Sequence, residues 1–271
     1  MPDFFDLARH FTPEERTIQT TVRGFVERRI LPGIGEHWEK GTFPLEVIPE
    51  IAELGLLGCN LHGYGCAGLS EVGYGLAMQE LERGDSGIRS FASVQGSLVM
   101  YPIWAFGSEE QKKKFLPEMA QGKIIGCFGL TEPDHGSNPS DMRTVARDDG
   151  DAYVLTGTKR WITNGNLAHV ALVWAKLGGV NGKVHGFLVP TDSKGFEARV
   201  IHRKVSLRAS VTSELILEEV RVPKDAILPG VAGMKGPLSC LTAARFGIAW
   251  GVLGAAGACF DCAVDYAKHR V

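Results

Sequence analysis

The chain has 271 residues, 44% of them hydrophobic, enough to bury at least one sizeable core and to span two folding units. Its 29 Lys and Arg against 31 Asp and Glu leave a formal charge of −2, so no bulk field recruits nucleic acid or an anionic membrane. The six cysteines, Cys59, Cys66, Cys127, Cys240, Cys259 and Cys262, lack the density of a disulfide scaffold and point to a reducing compartment.

The chain opens on Asp3, Asp6, Glu14 and Glu15, which does not fit a signal or transit peptide. Thr12, Pro13 and Glu15 form a capping-box start, and Ile18, Val22, Phe25, Val26 and Ile30 follow at helical spacing until Pro32 and Gly33 stop the helix. A second helix is expected from Pro44 to Leu57, ended by Gly55 and Gly58. After the glycine-rich connection Gly63 to Gly68, Val72, Leu76 and Leu81 keep the helical period. Ser90 to Ala105 is apolar nearly all round and predicts an interior helix. Ser108 and Gln111 form another capping box, and Lys112 to Lys114 read as a solvated face.

From about Gly126 the segments become short and rich in β-formers. Tyr153 to Thr156 and Thr158 to Ile162 read as two strands about a turn at Gly157, with further strands at Val170 to Ala175, Val184 to Pro190 and Ser213 to Val220. This pattern favours a sandwich or barrel over a parallel βαβ sheet. Helix returns from Leu238, where the apolar run Phe246 to Phe260 is short of the ~18 residues that span a bilayer and is interrupted by four glycines. It reads as a buried helix, with Cys259 and Cys262 as small core residues and no metal site. The fold class is α+β: an N-terminal all-α domain over 1–125, a β-barrel-like domain over 126–235, and the beginning of a helical bundle over 236–271.

Several segments carry chemistry. Cys127 to Ser137 holds a strand, a proline stop and a Gly-Ser turn, either a set of donors for a phosphate or an ordinary strand exit. Trp161 to Asn164 ends a strand with an aromatic, a hydroxyl and an amide that could face a planar heterocycle or pack in a core. Arg89 could grip a carboxylate or neutralise Glu82 or Asp85. His135 beside Asp134 takes no catalytic role, because adjacent residues seldom point into one site. No Walker A sequence is present.

In order and wording, Gly63-Tyr-Gly-Cys-Ala-Gly68, Gly107-Ser-Glu-Glu-Gln-Lys112, Gly129-Leu-Thr-Glu-Pro133 with Gly136-Ser137, and Gly157-Thr-Lys-Arg-Trp-Ile-Thr-Asn164 resemble the acyl-CoA dehydrogenase family. The stretches Gln79 to Arg83, Asp85 to Ser90, Ser93 to Met100, Ser206 to Ser210 and Ala244 to Gly254 resemble its glutaryl-CoA dehydrogenase branch.

The resemblance implies FAD as cofactor, contacted by Phe128, Gly129, Leu130, Thr131, Gly136, Ser137, Trp161, Ile162 and Thr163, and by Arg270 across subunits. It implies an acyl-CoA substrate met by Ser137, Leu238, Ser239, Leu241, Thr242 and Arg245, with Arg89 and Ser90 on a distal carboxylate. The implied reaction removes the α-proton of glutaryl-CoA, transfers the β-hydride to the flavin and releases CO2, giving crotonyl-CoA. The implied base is a glutamate beyond Val271, so no residue of this chain is assigned as catalytic and its activity alone is in doubt. A homotetramer, electron-transfer flavoprotein as acceptor, no membrane span, and a bacterial cytoplasm or mitochondrial matrix complete what is implied. Alternative readings are a short-chain acyl-CoA dehydrogenase or oxidase, and a noncatalytic flavin- or CoA-binding fragment or interaction module.

Overall fold

A computed structural model describes residues 5–270, so Asp3 lies outside the described residues. Helix α1 (Pro13–Phe25) opens on the expected capping box: Glu15 N donates to Thr12 Oγ1 at 3.2 Å and Thr12 N to Glu15 Oε2 at 2.9 Å. Val22, Phe25, Val26 and Ile30 are buried. Pro32 and Gly33 do not stop the helix. A π-turn over Val26–Ile30 leads directly into α2 (Leu31–Lys40), where Pro32 takes a first-turn position whose missing N–H has little to lose. Gly41, at φ 68°, is the actual stop.

The second expected helix is shorter than its pattern. A 3₁₀ turn and α3 (Ile48–Glu53) are all that form, because Gly55 and Gly58 turn the chain at φ 69° and 65°. Helices α4 (Glu71–Gly84), α5 (Ser86–Ser93), α6 (Tyr101–Phe106) and α7 (Glu109–Ala120) follow. The expected interior helix is α5 and α6 joined by a second π-turn, Val94–Met100, with Phe91, Val99, Met100 and Ile103 fully buried. The Ser108–Gln111 capping box caps α7.

Seven strands form one curled mixed sheet: β1 (Gly126–Gly129), β2 (Val145–Asp148), β3 (Ala152–Thr163), β4 (Val170–Leu177), β5 (Lys183–Pro190), β6 (Phe196–Val200) and β7 (Thr212–Pro223). Their order is β1-β4-β2-β3-β7-β6, with β5 also on β4. β4 pairs in parallel with β1 and β2 and antiparallel with β5, so both its edges are paired, and over residues 170–175 it is buried on both faces as well. Val170, Leu172 and Trp174 join the helical core, while Ala171, Val173 and Ala175 fill the inside of the sheet. Short β2 and β6 have no sequence pattern strong enough to announce them.

Gly157 does not divide two strands. β3 is continuous, and both of its halves pair with β7 across a register shift between Leu155 and Gly157. A Cβ at Gly157 would lie 2.7 Å from Thr144 Cα, so the glycine serves a bulge with close backbone approach.

Helix α8 (Lys235–His269) follows the sheet as the last described element. Cys240, Ala244, Gly247, Gly251, Gly254 and Gly257 are its buried seam, and the contact is chiefly with α4. Phe246, Ile248, Val252, Leu253 and Phe260 stay exposed, so the helix is not buried all round as its composition suggests. Cys259 and Cys262 are exposed as well, displaced from the core because glycines occupy the seam. The helix also exceeds the apolar run read from sequence: at 35 residues, with a mean hydropathy of 1.5 in its most apolar window, it is long and apolar enough to cross a membrane. Only 22% of that window is buried.

Candidate functional site

β1 carries Phe128 onto the face toward the helices, where its ring meets Trp174 edge-on at 6.2 Å between centroids. The chain then leaves the sheet but stays tied to β3. Arg160 N donates to Thr131 O at 2.8 Å, and Lys159 Nζ to Leu130 O at 3.1 Å. Glu132 and His135 then exchange backbone hydrogen bonds of 3.3 and 3.2 Å, a tight turn that leaves Gly136 and Ser137 exposed.

The opposite wall comes from the end of β3. A second register shift, between Lys159 and Ile162, sets Trp161 at φ 62°. That bulge re-aims the indole out of the sheet, leaving it 55% exposed, with the Arg160 guanidinium 5.4 Å from its centroid. Thr163 follows, held in register with Thr212 of β7.

These two walls, the second π-turn and the first part of α8 enclose a cavity of about 380 Å³. Phe128, Leu130, Thr131, Gly136, Ser137, Trp161, Ile162 and Thr163 line it, together with Leu238, Leu241 and Arg245 from α8. Val94, Leu98 and Pro139 also line it, and sequence reading missed them. The i, i+4 spacing of Val94 and Leu98 was the available signal, because it puts both on one helical face.

Other expected residues lie elsewhere. Gly129 is one step behind the wall, where a Cβ would stand 3.3 Å from Lys159 Cγ. Ser239 donates to Gly236 O at 2.7 Å and Thr242 to Leu238 O at 3.1 Å, so both hydroxyls are taken by their own helix. Arg270 is exposed at the end of α8, outside the cavity lining. Ser90 opens into an adjoining space of about 490 Å³ that shares Trp161 and Thr163 with the first and runs along Ile201 to Leu207. Arg89 is buried, its Nε donating to Glu82 Oε2 at 2.5 Å; the neutralising reading of this arginine therefore describes the contact it makes.

The charge pattern of the cavity limits its chemistry. Arg245 is its charged lining residue, and among the described residues no carboxylate or imidazole lines it. It can hold an anion or a planar polar ring, but nothing in its lining can take a proton from carbon at neutral pH. Behind the lining, Lys159 and Glu132 form a buried ion pair of 2.8 Å that no local sequence pattern revealed. His135 Nε2 and Asn164 Nδ2, next in sequence to lining residues Gly136 and Thr163, are buried polar atoms without a hydrogen-bond partner. Among the described residues, no group of three or more His, Cys, Asp or Glu is placed to hold a metal ion.

Two sequence families match: the acyl-CoA dehydrogenase N-terminal domain over residues 12–123 and the acyl-CoA dehydrogenase middle domain over 127–220. The short-chain specific acyl-CoA dehydrogenase of Bos taurus is 38% identical over 258 residues, which cover 93% of this chain and 62% of that protein. A glutaryl-CoA dehydrogenase from Mycobacterium smegmatis, solved in complex with FADH2, superposes with a TM-score of 0.96 at 56% identity. The match covers 98% of this chain and 68% of that one. Butyryl-CoA dehydrogenase from Megasphaera elsdenii gives a TM-score of 0.91 at 34% identity, over 96% of this chain and 70% of the other. The chain thus spans about 62% of the length of the curated mitochondrial relatives it matches. With helices and sheet superposing on these enzymes across nearly its whole length, the chain belongs to the acyl-CoA dehydrogenase family.

Proposed function

We propose that the cavity between β1, β3 and α8 holds FAD and an acyl-CoA thioester, and that the substrate is glutaryl-CoA, oxidised and decarboxylated to crotonyl-CoA and CO2. The observation that carries this reading is the convergence of Thr131, Ser137, Trp161, Thr163 and Arg245 on one cavity. The residues fit a flavin: an exposed indole face at Trp161, hydroxyls at Thr131, Ser137 and Thr163, and open space within 4 Å of the position a Cβ would take at Gly136.

FAD, when bound, supplies the acceptor for the hydride that leaves the substrate β-carbon. The chain's own residues bind and orient. Trp161 offers a stacking face, the three hydroxyls offer hydrogen bonds, and Arg245 offers a cation to a carbonyl or phosphate oxygen. Proton removal from the α-carbon falls to a carboxylate outside the cavity lining of residues 5–270.

The glutaryl-CoA assignment draws on the 56% identity with the mycobacterial enzyme and on Arg89 and Ser90 as the carboxylate end of the site. Arg89 would orient that carboxylate while keeping Glu82, and Ser90 reaches the adjoining space directly. The bovine relative favours the second reading, a short unbranched acyl-CoA. The same proposal takes 1–125, 126–235 and 236–271 as domain bounds, a homotetramer in which Arg270 reaches a neighbour's FAD, electron-transfer flavoprotein as electron acceptor, and a bacterial cytoplasm or mitochondrial matrix as location.

Titrating the FAD-loaded chain with glutaryl-CoA and butyryl-CoA, while following the flavin absorbance band, tests the substrate. Glutaryl-CoA is expected to shift the band at a concentration about tenfold lower, an advantage of about 1.4 kcal/mol. Equal response to both ligands would sink the glutaryl assignment and leave the short-chain one.

A further inference from the structure

The buried ion pair behind the cavity has no part in the assignments above. Lys159 is 0% exposed; its side chain runs from β3 past Gly129 and donates to Leu130 O at 3.1 Å and Glu132 Oε1 at 2.8 Å. The Glu132 carboxylate also accepts from Arg143 N at 2.6 Å, Thr144 N at 2.9 Å and Thr144 Oγ1 at 2.6 Å. One carboxylate therefore ties both ends of the segment 130–144 together and to β3. Thr131, Gly136, Ser137 and Pro139 line the cavity from that segment, while Trp161 and Thr163 lie a few residues beyond Lys159 on the same strand.

Such a pair is a poor device for stability alone, because desolvating two charges consumes most of their attraction and an apolar pair would pack as well. Burial pushes the Lys159 ammonium down to about 8 despite the attraction of Glu132. Burial also pushes the Glu132 carboxyl up, but Lys159 and the amide of Arg143 outweigh it and hold the group below the usual carboxylate range. What the pair supplies, with both oxygens of the carboxylate hydrogen-bonded, is geometry.

We propose that Lys159 and Glu132 are positioning residues, which fix the 130–144 segment against β3 so that Thr131 and Ser137 face Trp161 and Thr163 across the flavin. This rests on the reading of the cavity as a flavin site. Neither residue touches the cavity itself, so both act through the segment they hold.

The test measures FAD affinity by fluorescence quenching and fold stability by urea unfolding in the wild-type chain, Lys159→Met, and the double variant Lys159→Met/Glu132→Gln. Lys159→Met alone strands a buried carboxylate and lowers both quantities. The double variant removes both charges, and the carbonyl oxygen of the introduced amide can still accept from Thr144 N and Oγ1 while the bond from Arg143 N is lost, so stability returns part of the way toward wild type. FAD affinity is expected to stay about tenfold or more below wild type, and the resolved shoulders of the bound-flavin spectrum to blur. A double variant that regains stability and binds FAD as tightly as wild type, with an unchanged spectrum, reduces the pair to a structural role and overturns the proposal. A folded wild-type chain that binds no FAD defeats the flavin-site reading itself, and the positioning role with it.

Discussion

Arg89→Ala lowers the stability of the chain by about 3–5 kcal/mol, the cost of breaking a buried ion pair from one side. Arg89 and Glu82 side chains are 9% and 5% exposed, and Nε meets Oε2 at 2.5 Å. Once the guanidinium is gone, the Glu82 carboxylate keeps Ser86 Oγ at 2.9 Å as a donor, but no charge. It also stays under α8, where a Cβ on Gly251 would collide with it. Arg89→Met combined with Glu82→Gln removes both charges and recovers most of the loss. Urea unfolding measures this, and a loss below about 1 kcal/mol would place the pair in water. The result bears on function: a raised KM for glutaryl-CoA in the alanine variant mixes folding with recognition. Arg89→Lys keeps the charge but loses the planar fork, and so isolates the contribution of guanidinium geometry.

Gly254→Ala destabilises by about 3 kcal/mol, the upper end of what overpacking costs. The new methyl would be driven into the backbone carbonyl of Gln79 and stand 3.0 Å from Arg83 N, and backbone cannot move aside as a side-chain tip can. Helices α4 and α8 must separate, straining the Arg83–Asp261 ion pair of 2.7 Å toward one end of the seam and the Tyr74–Gly247 contact toward the other. The same change at Gly33 in α2, where a Cβ meets nothing within 4 Å, is expected to stabilise by about 0.5–1 kcal/mol through helix propensity. Opposite signs for one chemical substitution, read by urea unfolding, separate packing from propensity. Equal effects would refute the close approach of α4 and α8.

Legibility followed the range of the interaction. The capping boxes at Thr12–Glu15 and Ser108–Gln111 were readable because donor and acceptor lie three residues apart. Pro32 misled because a local rule about proline is blind to a π-turn that restarts the helix just before it. Gly157 misled because glycine marks both turns and bulges, and the deciding contact is with Thr144 on another element. The depth of α8 was misjudged for a related reason: composition showed that it was apolar, not that its glycines would take the seam and leave Phe246, Leu253, Cys259 and Cys262 outside.

In the site, Phe128 to Ser137 and Trp161 to Thr163 were named from family resemblance, and spacing alone could not have placed them across one cavity. The Lys159–Glu132 pair went unread because its partners are 27 residues apart and each looks like an ordinary surface charge. A lysine within an otherwise apolar and uncharged phase of a strand was the one signal available.

The most direct measurement is the visible absorbance of the purified chain after loading with FAD and removal of free cofactor by gel filtration. Stoichiometric flavin is expected, with a band shifted from that of free FAD. A chain that is folded by circular dichroism yet emerges without flavin would contradict the flavin-site reading.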